Sequence, residues 1–415
     1  MVFARLVRLA YRNLGRNRRR TVLTVAAIAF GLTMVQLMIG IQEGSYAEMT
    51  RQAVSAFSGH VVVQEQGYAE REDSDIVVTG TSAVVDRIRQ AVPDAIVAPR
   101  LMLGGLLTSP HGSAGVALVG LDPVAEAEVQ HLDEKVVEGE WLSGDGRSVV
   151  LGEELARTLG VELGDKVVYM GQHNGATEVS SRLFRVAGTF RTGATELDAF
   201  GAFVDLAAAQ EAFGQPDVSN RVTVHLKDPD TADAVAATLK DRLGDRSDLA
   251  VLTWREAMPE LYALIRLDRS TGNVMLVILG LIVAMGVLNT VLMSVLERTR
   301  EFGVMLSIGL KPTGLAATIL LEGVTIGVLG AVIGTGVGLL ATWPLVVHGL
   351  DYSGFIGSDT METGGVAISA VIHAAFEPTR TATYALGTIF FTALAAVYPA
   401  SYVARLEPVD AMRHV

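Results

Sequence analysis

The hydrophobic positions of this chain are concentrated in four long runs. The first, from Thr21 to Ile41, contains no charged residue, and the others occupy 271–296, 314–347 and 381–403. A helix needs about 20 predominantly apolar residues to cross the hydrocarbon core of a bilayer. The pattern therefore predicts four membrane-spanning helices.

The long segment between the first two runs, 42–270, has the shorter periodicities of a folded domain. Residues 60–66 (HVVVQEQ) alternate as a strand does, whereas 82–92 (SAVVDRIRQAV) place apolar residues at helical spacing. Further strands and helices follow up to about residue 250. The predicted fold class is an α-helical membrane protein with four transmembrane helices and a large mixed α/β extracytoplasmic domain. Two subdomains, 60–121 and 140–250, are predicted within that domain.

Basic residues near the first run set the expected orientation. The tail 1–20 contains no acid and seven arginines: Arg5, Arg8, Arg12, Arg16, Arg18, Arg19 and Arg20. Positively charged flanks stay in the cytoplasm. The layout is then a basic amphipathic cytoplasmic tail, the outer domain 42–270 with helical ends, an inner segment 297–312, an outer loop 348–380 and an inner tail 404–415. The first run is too long for a cleaved signal peptide, whose apolar region spans about 7–15 residues.

Composition removes several function classes. Of the 415 residues 50% are hydrophobic, the formal net charge is −12 and there is no cysteine. The negative charge argues against nucleic acid as a partner, and the lack of cysteine excludes disulfides and thiolate metal sites. The sequence contains no phosphate-binding GxxxxGK[ST] loop, no HExxH and no GxSxG. We therefore expect no catalytic, cofactor or metal site, and no enzyme activity, in this chain.

The segment 296–312 (LERTREFGVMLSIGLKP) is highly charged although it lies between two apolar runs. Four of its residues fall at i, i+3, i+4 and i+7 and form an apolar helical stripe: Phe302, Met305, Leu306 and Gly309. Charged residues cover its start and its other side: Glu297, Arg298, Arg300 and Glu301. A helix of this kind either lies in the lipid interface or docks into a groove of a soluble partner. We favour docking, with Gly303 included in the docking segment.

Four segments resemble the FtsX-like permease superfamily of ABC transporters. They are LAYRNLGRNRRRTVLT (9–24), VVLGEELARTLGVELGDKV (149–167), ERTREFGVMLSIG (297–309) and YPASYVARLEPVDAMR (398–413). The resemblance implies a MacB-like periplasmic core domain in the outer segment and a coupling helix at 297–312 that sits in a cleft of a separate ATPase. It implies a bacterial inner-membrane assembly of an ATPase dimer, which holds ATP and Mg, with a second permease protomer, either a copy or a paralogue.

Within that superfamily the chain is most similar to lipoprotein-releasing permeases. Its length, its large outer domain and the stretch SGHVVVQEQGY after the first run favour this branch. The branch implies release of lipoproteins from membrane lipid to a periplasmic carrier. The turn SPHGS (109–113) is a candidate for the loop that contacts this carrier. Efflux of small molecules or peptides, and activation of a periplasmic cell-wall enzyme, remain the alternatives.

Two sets of intramembrane residues are predicted to have roles. Acyl chains of a lipoprotein would need an apolar cavity between the first two spans of two protomers, with candidate lining residues Met34, Gln36, Met38, Met285, Leu288 and Asn289. Small residues at three- and four-residue steps predict close packing of the third span, and these are Gly323, Gly327, Gly330, Gly334 and Gly338. Glu322 and Pro344 interrupt that span, which could instead be two pieces, one re-entrant. Glu322 could reach the cytoplasmic interface or a neighbouring chain, or act in transport.

Overall fold

The computed structural model of the chain describes residues 18–71, 73–172, 179–356, 360–363 and 366–407. Most of the predicted N-terminal tail and the last eight residues of the predicted C-terminal tail lie outside this part of the chain. The described residues form two compact units. The helical unit comprises segments up to Ala47, Ile265–Tyr352 and from Val371 onward, and the α/β unit comprises Glu48–Leu264 and Ser353–Ala370.

The helices, in chain order, are α1 (Arg18–Ala53), α2 (Tyr68–Arg71), α3 (Thr81–Ala91), α4 (Pro123–Gln130), α5 (Glu153–Leu159), α6 (Thr195–Phe200), α7 (Leu206–Phe213), α8 (Ala232–Arg242), α9 (Trp254–Ala257), α10 (Pro259–Glu297), α11 (Thr299–Ser307), α12 (Pro312–His348), α13 (Ser353–Ile356) and α14 (Pro378–Ala404). A π-helical turn, Val54–Ser58, continues α1.

The strands are β1 (Val61–Glu65), β2 (Val78–Thr79), β3 (Ile96–Thr108), β4 (Ser113–Leu121), β5 (Val136–Gly139), β6 (Ser148–Gly152), β7 (Lys166–Gly171), β8 (Ser180–Phe190), β9 (Gly201–Asp205), β10 (Val218–Ser219), β11 (Arg221–His225), β12 (Leu249–Thr253), β13 (Leu350–Asp351), β14 (Thr360–Thr363), β15 (Val366–Ser369) and β16 (Val371–Ile372).

Four helices of the described chain are long and apolar enough to cross a membrane: α1 with its π turn, α10, α12 and α14. Each begins before or ends after the apolar run that predicted it. Contact with hydrocarbon requires apolarity only over about 30 Å, whereas the backbone hydrogen bonds of a helix continue into polar sequence. Helix α12 runs unbroken through Glu322 and Pro344, so the third span is one helix and is not divided into two pieces.

The α/β unit is built on one large sheet with strand order β12-β1-β11-β3-β4-β9-β6-β8-β5, and β7 pairs with both β3 and β8. Most pairs are antiparallel, while β4–β9 and β6–β8 are parallel. In the pair β1–β12, Val61 lies opposite Thr253, and the Trp254 amide donates to the His60 carbonyl at 3.1 Å. The chain therefore enters and leaves the sheet at neighbouring positions.

The apolar clusters of this unit divide it differently from the predicted halves 60–121 and 140–250. One cluster combines β1, α3 and the start of β3 with β11, α8 and β12, which come from opposite ends of the segment. A second is formed by β3, β4, β6, β7, β8 and β9 with α5 and α7. Strand β3, which is 13 residues long, contributes to both. The sequence order did not reveal this, because the N-terminal strand pairs with the C-terminal one.

Candidate functional site: the short helix between the second and third spans

Local interactions are present at both ends of helix α11. Arg298 precedes its first residue, and the Arg298 Nε donates to Glu301 Oε2 at 3.2 Å. At the other end Gly309 has a φ of 99°, and its amide donates to the Leu306 carbonyl at 3.0 Å. A left-handed residue at this position is typical of helix C-termini and favours glycine. The helix is shorter than the predicted segment 297–312, because Glu297 is the last residue of α10.

Three residues of the predicted apolar stripe, Phe302, Met305 and Leu306, face the helical unit, whereas Gly309 lies beyond the end of α11 and is exposed. Phe302 is only 1% exposed and belongs to a cluster with residues of α10, α12 and α14. Met305 and Leu306 pack against the same cluster, and Gly303 is also buried. The sequence predicts this stripe as the docking ridge, but in the structure it packs against the bundle, which is the nearest apolar surface to a short helix between two long ones. Burial there removes these side chains from water without any partner.

The opposite face of the segment presents apolar side chains that the sequence analysis did not single out. Val304, Ile308 and Leu310 are exposed, and Ile308 is 82% accessible. Val304 and Ile308 are four residues apart and therefore neighbours on one side. Arg300 is exposed as well. The signal in the sequence was the presence of apolar residues outside the stripe, which a short polar connection would not need.

Ionic contacts connect the start of this segment to other helices. Arg20 of α1 donates to Glu297 Oε1 at 2.6 Å. Arg298 Nη1 lies 3.9 Å from Glu322 Oε2 of α12, and the Arg298 guanidinium lies 5.1 Å from the centre of the Phe302 ring. Glu322 is buried, and its cationic neighbour in the structure is Arg298 of the same chain. Its predicted roles at the cytoplasmic interface, towards a neighbouring chain or in transport stay predictions. Two of the predicted coupling residues, Glu297 and Arg298, thus connect α10 and α11 to α1 and α12.

The five glycines of α12 that the sequence predicts to pack closely lie against neighbouring helices. A Cβ added to Gly323 would be 2.4 Å from the Ala396 Cβ of α14, and one added to Gly327 would be 2.0 Å from Thr392 Oγ1. The remaining three face α1, where the added atom would meet Ile28, Ala29 and Gln36 at 2.6 to 2.8 Å from Gly330, Gly334 and Gly338. Separations below 3.0 Å leave no room for a side chain, so the helix axes approach closely at these positions.

The six candidate cavity residues fall in different environments. Met34, Met38, Met285 and Asn289 are exposed, whereas Leu288 is half-buried and Gln36 is buried. Gln36 packs on Gly338, so it lies in the contact between α1 and α12. That the exposed members line a cavity between protomers stays a prediction.

A second ionic cluster in the helical unit was not predicted. The carboxylate of Glu43 on α1 is buried and accepts from Arg269 Nη2 of α10 at 2.7 Å and from Arg380 Nη1 of α14. Tyr46 and Gln42, on the same helix, donate to Asp268. The charges lie outside the predicted apolar runs, and the sequence gives no indication of which of them meet.

Comparison with known proteins places these features in a family. The model of the MacB-like periplasmic core domain matches residues 21–242, and that of the FtsX-like permease C-terminal region matches 273–408. The chain therefore belongs to the family of permeases that combine a MacB-like periplasmic core domain with an FtsX-like C-terminal region, and it is a permease of the ABC transporter type.

Two relatives and one solved structure illustrate the degree of similarity. The "Lipoprotein-releasing system transmembrane protein LolC" of Xylella fastidiosa is 27% identical over 94% of this chain and 93% of its own length. The "Macrolide export ATP-binding/permease protein MacB" of Marinobacter nauticus is 27% identical over 80% of this chain and 52% of its own length. The solved periplasmic region of MacB from Actinobacillus actinomycetemcomitans matches 46% of this chain and 87% of its own length, with 18% identity and a TM-score of 0.36.

Proposed function

We propose that this chain is the permease subunit of an ATP-driven transporter that extracts lipoproteins from the inner membrane for export to the outer membrane. The end-to-end similarity to a lipoprotein-releasing permease supports the cargo. The observation that carries the permease role is α11, whose inner stripe is fixed to the bundle while Val304, Ile308 and Leu310 stay exposed. An exposed apolar ridge on an anchored helix is suited to receive a soluble partner.

The partner in this proposal is a cytoplasmic ABC ATPase dimer that binds ATP and Mg. It contacts the exposed face of α11, and the charged residues at the start of that segment carry the movement onward. Arg20–Glu297 connects it to α1, and Arg298–Glu322 connects it to α12. Catalysis belongs to the ATPase, and this chain supplies the mechanical connection. The N- and C-termini are cytoplasmic, and a second permease protomer completes the assembly.

The cargo sets an energetic condition on the path. Exposing an acyl chain to water costs about 0.8 kcal/mol per methylene group, or roughly 12 kcal/mol for a chain of about 15 carbons. Each chain must therefore pass from lipid into another apolar environment without entering bulk water. The predicted cavity between the first two spans of two protomers, with Met34, Met38 and Met285 among its lining residues, is the first such environment.

Efflux of small molecules or peptides is the second candidate function. The similarity to a macrolide export protein, over 80% of this chain, favours it. That relative is named as an ATP-binding protein and a permease in one, and this chain covers only about half of its length. The two candidates share the same ATPase coupling and differ in the cargo.

Affinity purification of the chain from its native membrane tests both parts of the proposal. We expect a co-purified ATPase and bound acylated protein. Ile308→Glu and Val304→Glu, which place a charge on the exposed face of α11, should remove the ATPase while the permease stays in the membrane. Leu183→Glu is the matched control, because Leu183 is an exposed apolar residue of the α/β unit, and it should retain the ATPase.

Three results would contradict the proposal. Retention of the ATPase by both α11 variants would reject this face as the docking surface. A purified chain without any nucleotide-hydrolysing subunit would reject the transporter role. Small molecules or peptides in place of acylated protein would assign the chain to efflux.

A further inference from the structure

The α/β unit contains a cavity of about 600 Å³, which we call the outer cavity. Its apolar walls are formed by the π turn after α1, by strand β4 and by helices α4 and α6. Apolar side chains that line it include Ala56, Phe57, Ala117, Leu132, Leu197 and Phe200. A smaller cavity of about 80 Å³ shares Ala56, Phe57 and Leu197 with it. Sites for small ligands occupy about 300–1,000 Å³ and are mainly apolar, and the outer cavity falls in this range.

The wall made by the π turn is held by a buried ion pair. Arg100 on β3 donates to Glu126 Oε1 at 2.5 Å and to Glu126 Oε2 at 2.9 Å. The same guanidinium donates to the carbonyls of Ser55, at 3.0 Å, and of Ala56. Gln130 donates to Glu126 at 2.6 Å. These charges are therefore paired and hydrogen-bonded behind the wall, and the wall is organised before any ligand arrives.

The apolar side chains of the cavity are left open to solvent. Phe200 is 53% exposed and Phe57 is 38% exposed, and Leu197 is half-buried. Removing such apolar surface from water is favourable, so an apolar ligand that covers it gains binding free energy. Polar side chains stand among the lining residues as well, with Arg51 and Lys135 as cations and Glu196 as an anion, and all three are exposed. The site thus combines apolar walls with three exposed charged residues, Arg51, Lys135 and Glu196, which we call its mouth.

We propose that the outer cavity binds one hydrocarbon chain of an amphiphile, with the polar head group at the mouth near Arg51 and Lys135. Water takes up about 30 Å³ per molecule in the liquid, and a methylene group is of similar size, so the cavity has room for on the order of 20 methylene groups. One long acyl chain fits this volume, and three do not. The chain comes from an acylated protein or from a membrane lipid, which share this chemistry.

A photoreactive fatty acid tests the site in the full-length chain. The protein is kept in a lipid-free fluorinated surfactant, so that no hydrocarbon chain competes beforehand. It is illuminated with palmitic acid that carries a diazirine near its methyl end, and labelled peptides are mapped by mass spectrometry. We expect peptides that contain Phe57, Leu197 or Phe200 to be labelled, and we expect excess unlabelled palmitate to suppress this labelling. Labelling of the membrane spans by simple partition should not saturate. The assay needs neither ATPase nor transport, so its result is independent of the proposed function.

Two matched variants decide whether the labelling reports the cavity. Phe200→Ser should weaken saturable labelling about tenfold, because roughly half of a phenylalanine's burial is lost. Leu183→Ser should leave it unchanged, since Leu183 is 54% exposed but lies outside the cavity. If Phe200→Ser lowers the melting temperature, Phe57→Ser replaces it. Ala117→Phe, which fills the cavity, should also suppress labelling, whereas Ser113→Phe on the same strand should not.

Competition identifies the source of the chain. Suppression by a triacylated lipopeptide but not by phosphatidylglycerol vesicles assigns the site to acylated protein, and suppression by the vesicles assigns it to membrane lipid. Either result supports the hydrocarbon site. Saturable labelling that is absent from the α/β unit, or that is equal in Phe200→Ser and Leu183→Ser, would overturn it. If the cavity instead receives a side chain of a protein partner, saturable labelling of the α/β unit will be absent.

Discussion

At the residue scale, Arg100 is a charge of the α/β unit with several partners. It is buried, and its guanidinium joins β3 to Glu126 of α4 and to two carbonyls of the π turn. Breaking a buried pair is costly, because it leaves one charge without compensation. The same positive charge acts on its surroundings. Burial, together with this positive charge and the nearby His60, lowers the pKa of His225 to about 3.

The depressed pKa of His225 predicts that the α/β unit loses stability in acid. Burial is the main cause, and the free value is 6.5. Because the folded state holds the neutral ring, its contribution is complete above pH 6.5 and falls as the pH decreases from 6.5 towards 3. The loss is about 1.4 kcal/mol per pH unit, so the free energy of unfolding should fall by about 2 kcal/mol between pH 6.5 and 5.

Denaturant unfolding followed by tryptophan fluorescence measures this effect. His225→Gln should remove most of the decrease between pH 6.5 and 5, whereas His111→Gln, at an exposed histidine, should keep it. An equal decrease in wild type and His225→Gln would show that another group is responsible.

At the scale of elements, the close packing of α12 against α1 requires positions where no side chain fits. A Cβ at Gly334 would lie 2.8 Å from the backbone oxygen of Ala29, whereas a Cβ at Gly336 would meet nothing within 4 Å. Backbone atoms cannot rotate away as a flexible side chain can, so α1 and α12 would have to separate. The glycines of one helix therefore have different roles although they look alike in sequence.

Gly334→Ala and Gly336→Ala form a matched pair that separates packing from helix propensity. Gly334→Ala should destabilise the protein by about 1–3 kcal/mol, the usual cost of overpacking. Gly336→Ala should be neutral or stabilising by up to about 1 kcal/mol, because alanine is the better helix former. Thermal unfolding in detergent gives the comparison. Equal melting temperatures for the two variants would argue against close packing at Gly334.

Helix α11 shows how far sequence reasoning reached at this scale. Its position between two spans and its apolar stripe were evident from the spacing of Phe302, Met305 and Leu306. The direction of the stripe was not, because a period of 3.6 residues reports that one face is apolar and does not report what covers it. The exposure of Val304 and Ile308 could be identified only from the structure, because it depends on the stripe packing against the bundle.

At the scale of the whole molecule, the chain enters and leaves the α/β sheet on two neighbouring strands. Val61 and Thr253 are paired, and His60 and Trp254 share a backbone hydrogen bond of 3.1 Å. Residues 61–253 can therefore be replaced by a short Gly-Ser connection without stretching the chain that leads to α10.

This excision should separate membrane insertion from transport. We expect the shortened chain to enter the membrane and to co-purify with the ATPase, because α11 and the four long helices are retained. Release of acylated protein should be abolished. Membrane fractionation, co-purification and a release assay measure the three properties. A shortened chain that still releases acylated protein would show that the α/β unit is dispensable, and one that loses the ATPase would show that docking requires it.

Features that depend on local composition and order could be predicted from the amino-acid sequence. Four apolar runs of sufficient length indicated the long helices, alternating segments indicated the strands, and four motifs indicated the family. Each of these signals is contained in neighbouring residues. Contacts between distant residues became known from the folded chain: β1 with β12, Arg100 with Glu126, Glu43 with Arg269, and Phe57 with Phe200 around one cavity. These contacts join segments that lie far apart in the chain, and the periodicity of a single segment contains no information about its partner.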